Sequence, residues 1–278
     1  MCSSGSTSRP VSHRRSAPTG LDLTTPSSAR VYDYLLGGKD NYEVDRVVAQ
    51  RMLELAPDMR TLARFSRRFL IGATRIAAEE GVRQFVDIGV GLPTTPSVHE
   101  EARRSDPSAR VALVDYDPTV YAHTNAMLDN RGSGISLLAD FRDPDNLIHL
   151  LRAEAHFDLR QPIALLMVGV LHHVLDEEHP QEILARFHEV MAPGSFVAFT
   201  HQSRDSAEDL KEYTAAATDG GPAESTYRTA SEVEAFFRGF ELVRPGVVPI
   251  QEWLGDDLPA TRLVLLGGMG WKPVRARQ

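Results

Sequence analysis

The first part of the chain with a regular pattern of apolar and polar positions is helical. From Pro26, three helical segments follow one another: a short one that ends at Gly37-Gly38, one near residues 43–55, and a long one over about 59–80. The long segment carries apolar side chains at spacings of three and four residues, which places them on one face of a helix. These side chains are Leu62, Phe65, Phe69, Ala73 and Ile76. We predict a helical N-terminal cap or lid over residues 26–80.

From Gln84 onward, short runs rich in β-branched residues alternate with helical segments, which is typical of βαβ units around a parallel sheet. Seven strands are predicted: Gln84–Ile88, Arg110–Val114, Gly134–Leu138, Pro162–Val168, Ser195–Thr200, Phe240–Val248 and Arg262–Leu266. Five helices are predicted between them: Ser97–Arg104, Thr119–Asp129, Pro144–Arg152, Pro180–Met191 and Ser231–Arg238.

The segment that connects the sixth predicted strand to the seventh differs from the other connections between strands. It contains Pro249, Gly255 and Pro259, and it leaves no room for a crossover helix, which takes about a dozen residues or more. The last strand is therefore predicted to run antiparallel. The fold class is α/β, with a Rossmann-like, mostly parallel seven-stranded sheet over residues 81–278.

Composition excludes several classes of protein. Of 278 residues, 42% are hydrophobic, and the net charge of -8 opposes a broad nucleic-acid-binding surface. Cys2 is the only cysteine, which excludes a disulfide framework and an iron–sulfur cluster, and no metal site is predicted. No apolar run reaches the ~18 residues of a membrane span, and no secretory signal is recognisable, so a cytoplasmic protein is expected. Residues 1–25, rich in Ser, Thr, Pro and Arg, are predicted to be a disordered tail.

The first candidate binding motif is an apolar strand that ends in Asp87 and a Gly89-x-Gly91 turn. Glycines allow the backbone to turn tightly and to approach a ligand without a Cβ in the way. Such a turn alone is weak support for a ligand site, since an ordinary strand-to-helix turn has the same pattern. Thr94 stands where the dinucleotide fingerprint has its third glycine, which disfavours a nicotinamide cofactor.

Two further motifs place acids at strand ends. Asp115, after the second predicted strand, can accept both hydrogen bonds of a ribose diol, whereas Asp117 before Pro118 is interpreted as a helix cap. Asp140, after the third strand, is placed to accept from an adenine amino group, and the later Asp143 is interpreted as a second helix cap. An aromatic ring, Tyr116 or Phe141, can cover the adenine face.

A histidine pair, His172-His173, follows the fourth strand. The carboxyl ends of parallel strands line the ligand crevice, so either ring is a candidate catalytic base. A structural histidine that donates to a carbonyl is the alternative for each ring. The two rings cannot be ranked from the sequence.

The cap contains a polar and aromatic stretch, from Tyr32 to Tyr42, that exceeds what a simple connection between helices needs. Tyr34, Gly38 and Lys39 within it are candidate cofactor contacts of a lid. The alternative is a helix that glycine ends and that restarts after Asp40.

These motifs together resemble the actinobacterial S-adenosyl methyltransferase family, long catalogued as a domain of unknown function. The matching stretches are residues 28–42, residues 81–94, and the Asp115 and Asp140 motifs. The resemblance implies a class I methyltransferase fold that binds S-adenosyl-L-methionine (SAM), releases S-adenosyl-L-homocysteine (SAH), and has its N-terminal block near the cofactor. An antiparallel last strand agrees with that fold.

Several functional classes remain to be weighed. A SAM-dependent methyltransferase with a small-molecule acceptor is the preferred interpretation, with neither nucleic acid nor membrane as a partner. A catalytically silent SAM-binding module is the second hypothesis, and a nicotinamide-dependent oxidoreductase is the third.

Overall fold

A computed structural model describes residues 24–128, 134–218, 224–255 and 257–274. Apart from residues 24 and 25, the predicted tail lies outside the described residues. The N-terminal helices are α1 (Ser28–Leu36), α2 (Glu43–Leu55) and α3 (Met59–Glu79). The later helices are α4 (Val98–Ser105), α5 (Pro118–Leu128), α6 (Pro144–Ala153), α7 (Pro180–Val190), α8 (Glu208–Thr218), α9 (Ala230–Glu234) and α10 (Ile250–Leu254).

The strands are β1 (Gln84–Ile88), β2 (Arg110–Asp115), β3 (Gly134–Leu138), β4 (Ile163–Met167), β5 (Phe196–Gln202), β6 (Glu241–Leu242), β7 (Val248–Pro249) and β8 (Leu265–Trp271). They form one sheet in the order β3-β2-β1-β4-β5-β8-β6, with β7 also paired to β8. The pairs among β1 to β5 are parallel, whereas β8 runs antiparallel to β5, β6 and β7. The predicted α/β fold with a mostly parallel sheet and an antiparallel last strand is confirmed.

The C-terminal strands depart from the sequence prediction. The predicted strand Phe240–Val248 is wrong in extent, because a turn closed by the Gly246 amide donating to the Val243 carbonyl (2.9 Å) separates β6 from β7. The predicted strand Arg262–Leu266 is also wrong in extent, since β8 continues through three glycines to Trp271. A Cβ at Gly268 would lie 2.7 Å from the Phe237 ring, so glycine lets this strand pass beneath an aromatic side chain.

Two helices were not predicted. The helix α8 follows β5, and the five-residue α10 lies in the gap where no crossover helix fits. The connection over residues 250–264, which contains the short α10, turns the chain back once, so β7 and β8 pair antiparallel. The predicted helix caps are confirmed: Asp117 accepts the amide of Thr119 (2.8 Å), and Asp143 accepts that of Asn146 (3.4 Å).

The N-terminal helices pack directly on the rest of the chain. Along α3, Leu62, Phe65, Phe69 and Ala73 are buried, as the apolar spacing predicts. Phe69 meets the Trp253 ring edge to face at a centroid distance of 5.5 Å, so α3 contacts both the sheet and α10. The division into a cap over 26–80 and a domain over 81–278 stays a prediction.

A buried ion pair joins α1 to α2. Nε of Arg30 donates to Asp45 (2.8 Å), and the two side chains are 3% and 0% exposed. The Asp45 carboxylate also accepts the backbone amides of Ser27 (3.0 Å) and Tyr42 (2.8 Å). One carboxylate therefore holds the start of α1, the start of α2 and the connection between them.

Among the described helices, none combines the length and the apolar character that crossing a membrane requires.

Candidate active site

A cavity opens at the carboxyl ends of the parallel strands, where β1, β2 and β4 meet beneath α1 and α3. Strand ends of this kind form the usual ligand crevice of open α/β sheets. Eight of the candidate residues from the sequence line it: Asp87, Gly89, Gly91, Asp115, Tyr116, Asp140, Phe141 and His173. The fold therefore brings the strand-end acids, the glycine turn and one histidine together.

The glycine turn after β1 brings its backbone close to the loop after β4. Gly89 and Gly91 both have a φ of +64°, a left-handed conformation that favours glycine. A Cβ on Gly89 would lie 2.3 Å from Cγ2 of Val170, so any other residue at that position would force Val170 to shift. The turn leaves its backbone accessible along the cavity.

Asp115 organises two loops at the end of β2. Its carboxylate accepts the amide of Gly91 (3.1 Å) and the amide of Asp117 (3.0 Å). Each carboxylate oxygen has two lone pairs, so both can accept a further hydrogen bond from a ligand. Burial raises the pKa of Asp115 to about 6, despite these backbone donors. A ribose diol would supply two further hydrogen-bond donors to this buried carboxylate.

Asp87 and Arg67 form an oppositely charged pair of cavity residues. Burial raises the pKa of Asp87 to about 7, and the nearby charge of Asp115 adds to the rise, whereas the Arg67 guanidinium opposes it. Nη2 of Arg67 donates to the Pro96 carbonyl (2.8 Å), which fixes one end of the guanidinium on the turn over residues 93–96. An acid and a guanidinium at one end of a cavity suit a zwitterionic amino acid group.

The third acid, Asp140, is held by a neighbouring arginine. Arg142 donates to both oxygens of Asp140, from Nε and from Nη2 (2.7 Å), and its Nη1 donates to Glu178 (2.9 Å). Asp140 and Arg142 both line the cavity. The proposed role of Asp140 toward adenine stays a prediction.

The two candidate aromatic residues differ in their surroundings. The Phe141 ring stacks on Phe187 at 5.6 Å and is mostly buried in the core, although part of the residue reaches the cavity. The Tyr116 side chain is half-buried at the cavity, where burial and the charge of Asp115 raise the pKa of its hydroxyl to about 12. Tyr116 is therefore the more accessible ring of the two.

The cap residues proposed from the sequence lie elsewhere. Within the described chain, Tyr34, Gly38 and Lys39 are not part of the cavity lining. Tyr34 packs under the Arg60 guanidinium at 4.9 Å, Gly38 abuts the Asp33 carboxylate, and Lys39 is exposed. Their assignment as cofactor contacts stays a prediction.

Other cap residues line the cavity, and none of them is among the cofactor contacts predicted from the sequence. From α1 these are Ser28, Ala29 and Tyr32, and from α3 Arg67 and Leu70. The Tyr32 hydroxyl donates to the Ala63 carbonyl (3.0 Å), which ties α1 to α3 above the cavity. No sequence motif marks Arg67, although its position between buried aromatic residues on α3 indicates the inner side of the helix.

The structure separates the two histidines. His173 lines the cavity, and its Nδ1 lies 3.2 Å from the Glu224 carbonyl oxygen. A carbonyl only accepts, so Nδ1 is the donor and the neutral ring carries its lone pair on Nε2. His172 does not line the cavity in the described residues, and burial lowers the pKa of its ring well below the ordinary value. His173 is thus the ring placed to meet an acceptor.

Behind the pair lies a second buried histidine held by arginine. Nη1 of Arg228 donates to Nε2 of His201 (2.5 Å), and burial lowers the pKa of His201 to about 4. Arg228 also donates to Asp176. No group of His, Cys, Asp and Glu side chains in the described ranges is arranged to hold a metal ion.

Comparison with known proteins agrees with this geometry. A family model described as S-adenosyl methyltransferase matches residues 14–273. A structure from Thermobifida fusca YX, of a protein classed as a methyltransferase, is 34% identical, has a TM-score of 0.83, and aligns over 92% of this chain and 98% of that chain. A DUF574 family protein from Streptomyces avermitilis MA-4680 is 32% identical, with a TM-score of 0.83, over 91% and 99% of the two chains.

More distant structures share only the fold. The N-methyltransferase NodS from Bradyrhizobium japonicum WM9, in complex with SAH, is 13% identical, with a TM-score of 0.50, over 88% of this chain and 100% of that chain. Among curated proteins, none matches this chain in sequence. Since the family model covers most of the chain, and two relatives above 30% identity align over nearly their whole length, the chain belongs to the S-adenosyl methyltransferase family and is a SAM-dependent methyltransferase.

Proposed function

We propose that this enzyme transfers the methyl group of SAM to a small-molecule acceptor, with His173 as the base. The observation that carries the proposal is that one cavity has the Asp87–Arg67 pair and Asp115 on its walls together with His173. The net charge of -8 favours a small acceptor over a nucleic acid. A cytoplasmic location is part of the same proposal.

Along the edge of the sheet, the cavity residues follow one another in the same order as the parts of SAM that they suit. Asp87 suits the ammonium of the methionine part, Arg67 suits its carboxylate, and Asp115 suits the ribose hydroxyls. Asp140 and Tyr116, farther along the edge, suit the adenine amino group and ring face. SAM supplies a methyl group activated by the positive sulfonium.

In the transfer, a lone pair on the acceptor's oxygen or nitrogen forms a bond to the methyl carbon as the carbon–sulfur bond breaks. The bonding pair leaves with sulfur, which neutralises the sulfonium. His173 takes the proton of the acceptor on Nε2, and the Glu224 carbonyl, which accepts from Nδ1, stabilises the positive ring. The protein contributes orientation of the two reactants and removal of this proton.

Replacing Asp115 by Asn is expected to weaken SAH binding by ~1.5–3 kcal/mol, which is about 10-fold to 150-fold in Kd. The amide loses the charge and one acceptor oxygen toward the ribose. Calorimetric titration measures the change, and Asp145→Asn, which removes an exposed carboxylate outside the cavity, is the matched control. Unchanged affinity in a folded Asp115→Asn protein would contradict the ribose assignment.

SAH affinity is expected to fall as the pH drops through 7. Asp87 has a pKa of about 7 in the free protein, and the ligand's ammonium favours its charged form, so binding below this pH must release a proton. The Kd should rise by about tenfold per pH unit below 7, whereas it stays nearly constant between 7.5 and 8.5. In Asp87→Asn, the Kd should be higher and should change much less between pH 6.5 and 7.5, because the titration of Asp115, with a pKa of about 6, lies below this range. A wild-type profile that is flat there would contradict the role of Asp87.

The acceptor can be identified with labelled SAM. Incubation of the enzyme with a metabolite extract should transfer label to low-molecular-mass products that mass spectrometry can assign. The same reaction with a boiled enzyme is the control. SAH binding without transfer to any compound would favour the silent SAM-binding module instead.

A further inference from the structure

One arginine behind the histidine pair, Arg228, joins three separate segments of the chain. It lies in the connection between α8 and α9, and its backbone amide donates to the Gln202 carbonyl at the end of β5 (3.0 Å). Through Nη1 the guanidinium donates to His201 of β5 and to the Thr226 hydroxyl (2.8 Å). Through Nη2 it donates to the Asp176 carboxylate, in the segment after the histidine pair. One side chain thus connects β5, the segment near residue 226 and the segment near residue 176.

Charge pairing alone does not account for an arginine at this position. Asp176 is 83% exposed, whereas Arg228 is 6% exposed, so water screens much of the attraction between them. The His201 ring is a neutral partner, because its Nδ1 donates to the Gln202 carbonyl (2.9 Å) and leaves the lone pair of Nε2 for the guanidinium. A planar fork with N–H donors in fixed directions can reach the carboxylate, the ring and the hydroxyl at once, whereas a single ammonium cannot.

The contact through Nη1 leads to the carbonyl that His173 meets. The Thr226 hydroxyl accepts from Arg228, and the Thr226 amide donates to the His172 carbonyl (2.8 Å). Two residues earlier along the chain, the Glu224 carbonyl accepts from Nδ1 of His173 (3.2 Å). The guanidinium therefore holds the short segment that supplies this carbonyl.

The contacts through Nη2 lead to the backbone just after His173. Nη2 of Arg228 donates to the Val174 carbonyl (3.4 Å) as well as to the Asp176 carboxylate. One guanidinium thus contacts the segment that carries the ring and the segment that carries its acceptor. Both partners of the hydrogen bond between His173 and Glu224 depend on it for their relative position.

We propose that Arg228 is a positioning residue for the base: it holds the Glu224 carbonyl against Nδ1 of His173 and so keeps the lone pair of the neutral ring on Nε2. A neutral imidazole has one donor and one acceptor nitrogen, and its tautomer decides which nitrogen can take a proton. The inference rests on the proposed role of His173 and extends it to a side chain that, within the described residues, does not line the SAM cavity.

The tautomer of His173 can be observed without an acceptor molecule. In protein labelled with ¹⁵N-histidine, two-bond proton–nitrogen correlation spectra distinguish a protonated ring nitrogen from one that carries a lone pair. The spectra are recorded at about pH 8.5, where an ordinary imidazole is neutral, with and without SAH. The signals of His173 are those that disappear in His173→Gln. In the wild type, Nδ1 of His173 should carry the proton.

Two variants test the role of the guanidinium. Arg228→Lys keeps the positive charge and loses the fork, so the ratio of the His173 tautomers should shift by about fivefold toward the Nε2–H form, the effect of weakening one hydrogen bond. Thr226→Val removes the hydroxyl through which Arg228 contacts the segment with Glu224, and it should shift the ratio in the same direction. This second variant decides the test if Arg228→Lys does not fold.

The matched control is Arg204→Lys in the same part of the fold. Nε of Arg204 donates to the Tyr227 carbonyl (3.1 Å), and its Nη2 pairs with Glu232 (3.1 Å) at the surface. This variant should keep the wild-type tautomer ratio. An unchanged ratio in folded Arg228→Lys, or in Thr226→Val if the first variant does not fold, would overturn the inference, as would an equal shift in the control.

Failure of the proposed function gives different results. A wild-type His173 that carries its proton on Nε2 would overturn the proposed base together with this inference. Failure of SAH to bind would count against the SAM site alone, because the spectra of the free enzyme still report the tautomer in every variant.

Discussion

Replacement of His173 by Ala is expected to lower turnover by ~10²–10⁴-fold, the usual contribution of a positioned general base. The ring lines the cavity, and its Nδ1 donates to the Glu224 carbonyl, so Nε2 carries the lone pair that removes the acceptor's proton. SAH affinity should stay near that of the wild type, because Arg67 and the strand-end acids proposed to bind SAM are unchanged in this variant. Single-turnover measurements with the acceptor found by labelling provide the rate.

Two further variants make this result interpretable. His149→Ala removes an exposed ring on α6 and should leave turnover unchanged. His172→Ala removes the buried ring, whose Nδ1 has no hydrogen-bond partner among the described residues, and should change stability more than turnover. If His172→Ala stays folded and loses more activity than His173→Ala, the base assignment moves to His172. Full activity in both would leave positioning alone as the enzyme's contribution.

Replacement of Arg30 by Met is expected to lower the free energy of unfolding by about 3–5 kcal/mol. The change leaves the Asp45 carboxylate buried without its guanidinium partner, and the two backbone amides that remain cannot neutralise its charge. Urea denaturation followed by circular dichroism measures the difference. The α1 segment beside the cavity should loosen first.

The matched control for this variant lies on α2. Arg51 pairs with Glu54, and both side chains are more than half exposed, so Arg51→Met should cost at most about 1 kcal/mol. Equal losses in the two variants would show that burial of the Arg30–Asp45 pair adds nothing to stability.

The local pattern was sufficient to predict the first strands of the parallel part of the sheet. The bounds of β1 and β3 agree with the predicted Gln84–Ile88 and Gly134–Leu138, because each is a short apolar run between polar or glycine residues. The prediction failed where tertiary packing decides the structure. Nothing local shows that Gly268 and Gly270 lie under the Phe237 ring, and so the sequence predicts the end of this strand at Leu266 instead of Trp271.

For the site, the sequence identified the residues at strand ends but not those on helices. Asp87, Asp115 and Asp140 could be predicted because the carboxyl ends of parallel strands meet at one edge. Tyr32 and Tyr34 are two residues apart on α1, and side chains two residues apart on a helix point in nearly opposite directions. Which of them faces the cavity depends on how α1 docks, and that is a property of the packed fold.

The place of β8 in the sheet has a consequence for synthesis of the protein. In the sheet, β8 lies between β5 and β6, although it follows both of them along the chain. It pairs with β5 from Phe196 opposite Trp271 to Gln202 opposite Leu265. A nascent chain that has emerged only as far as β6 therefore leaves the edge of β5 with unpaired amides and carbonyls. Such an edge is open to pairing with other chains. The ribosome must extend the chain beyond residue 271 before that edge is covered, so the time between emergence of β5 and emergence of β8 is when this protein is most exposed to aggregation.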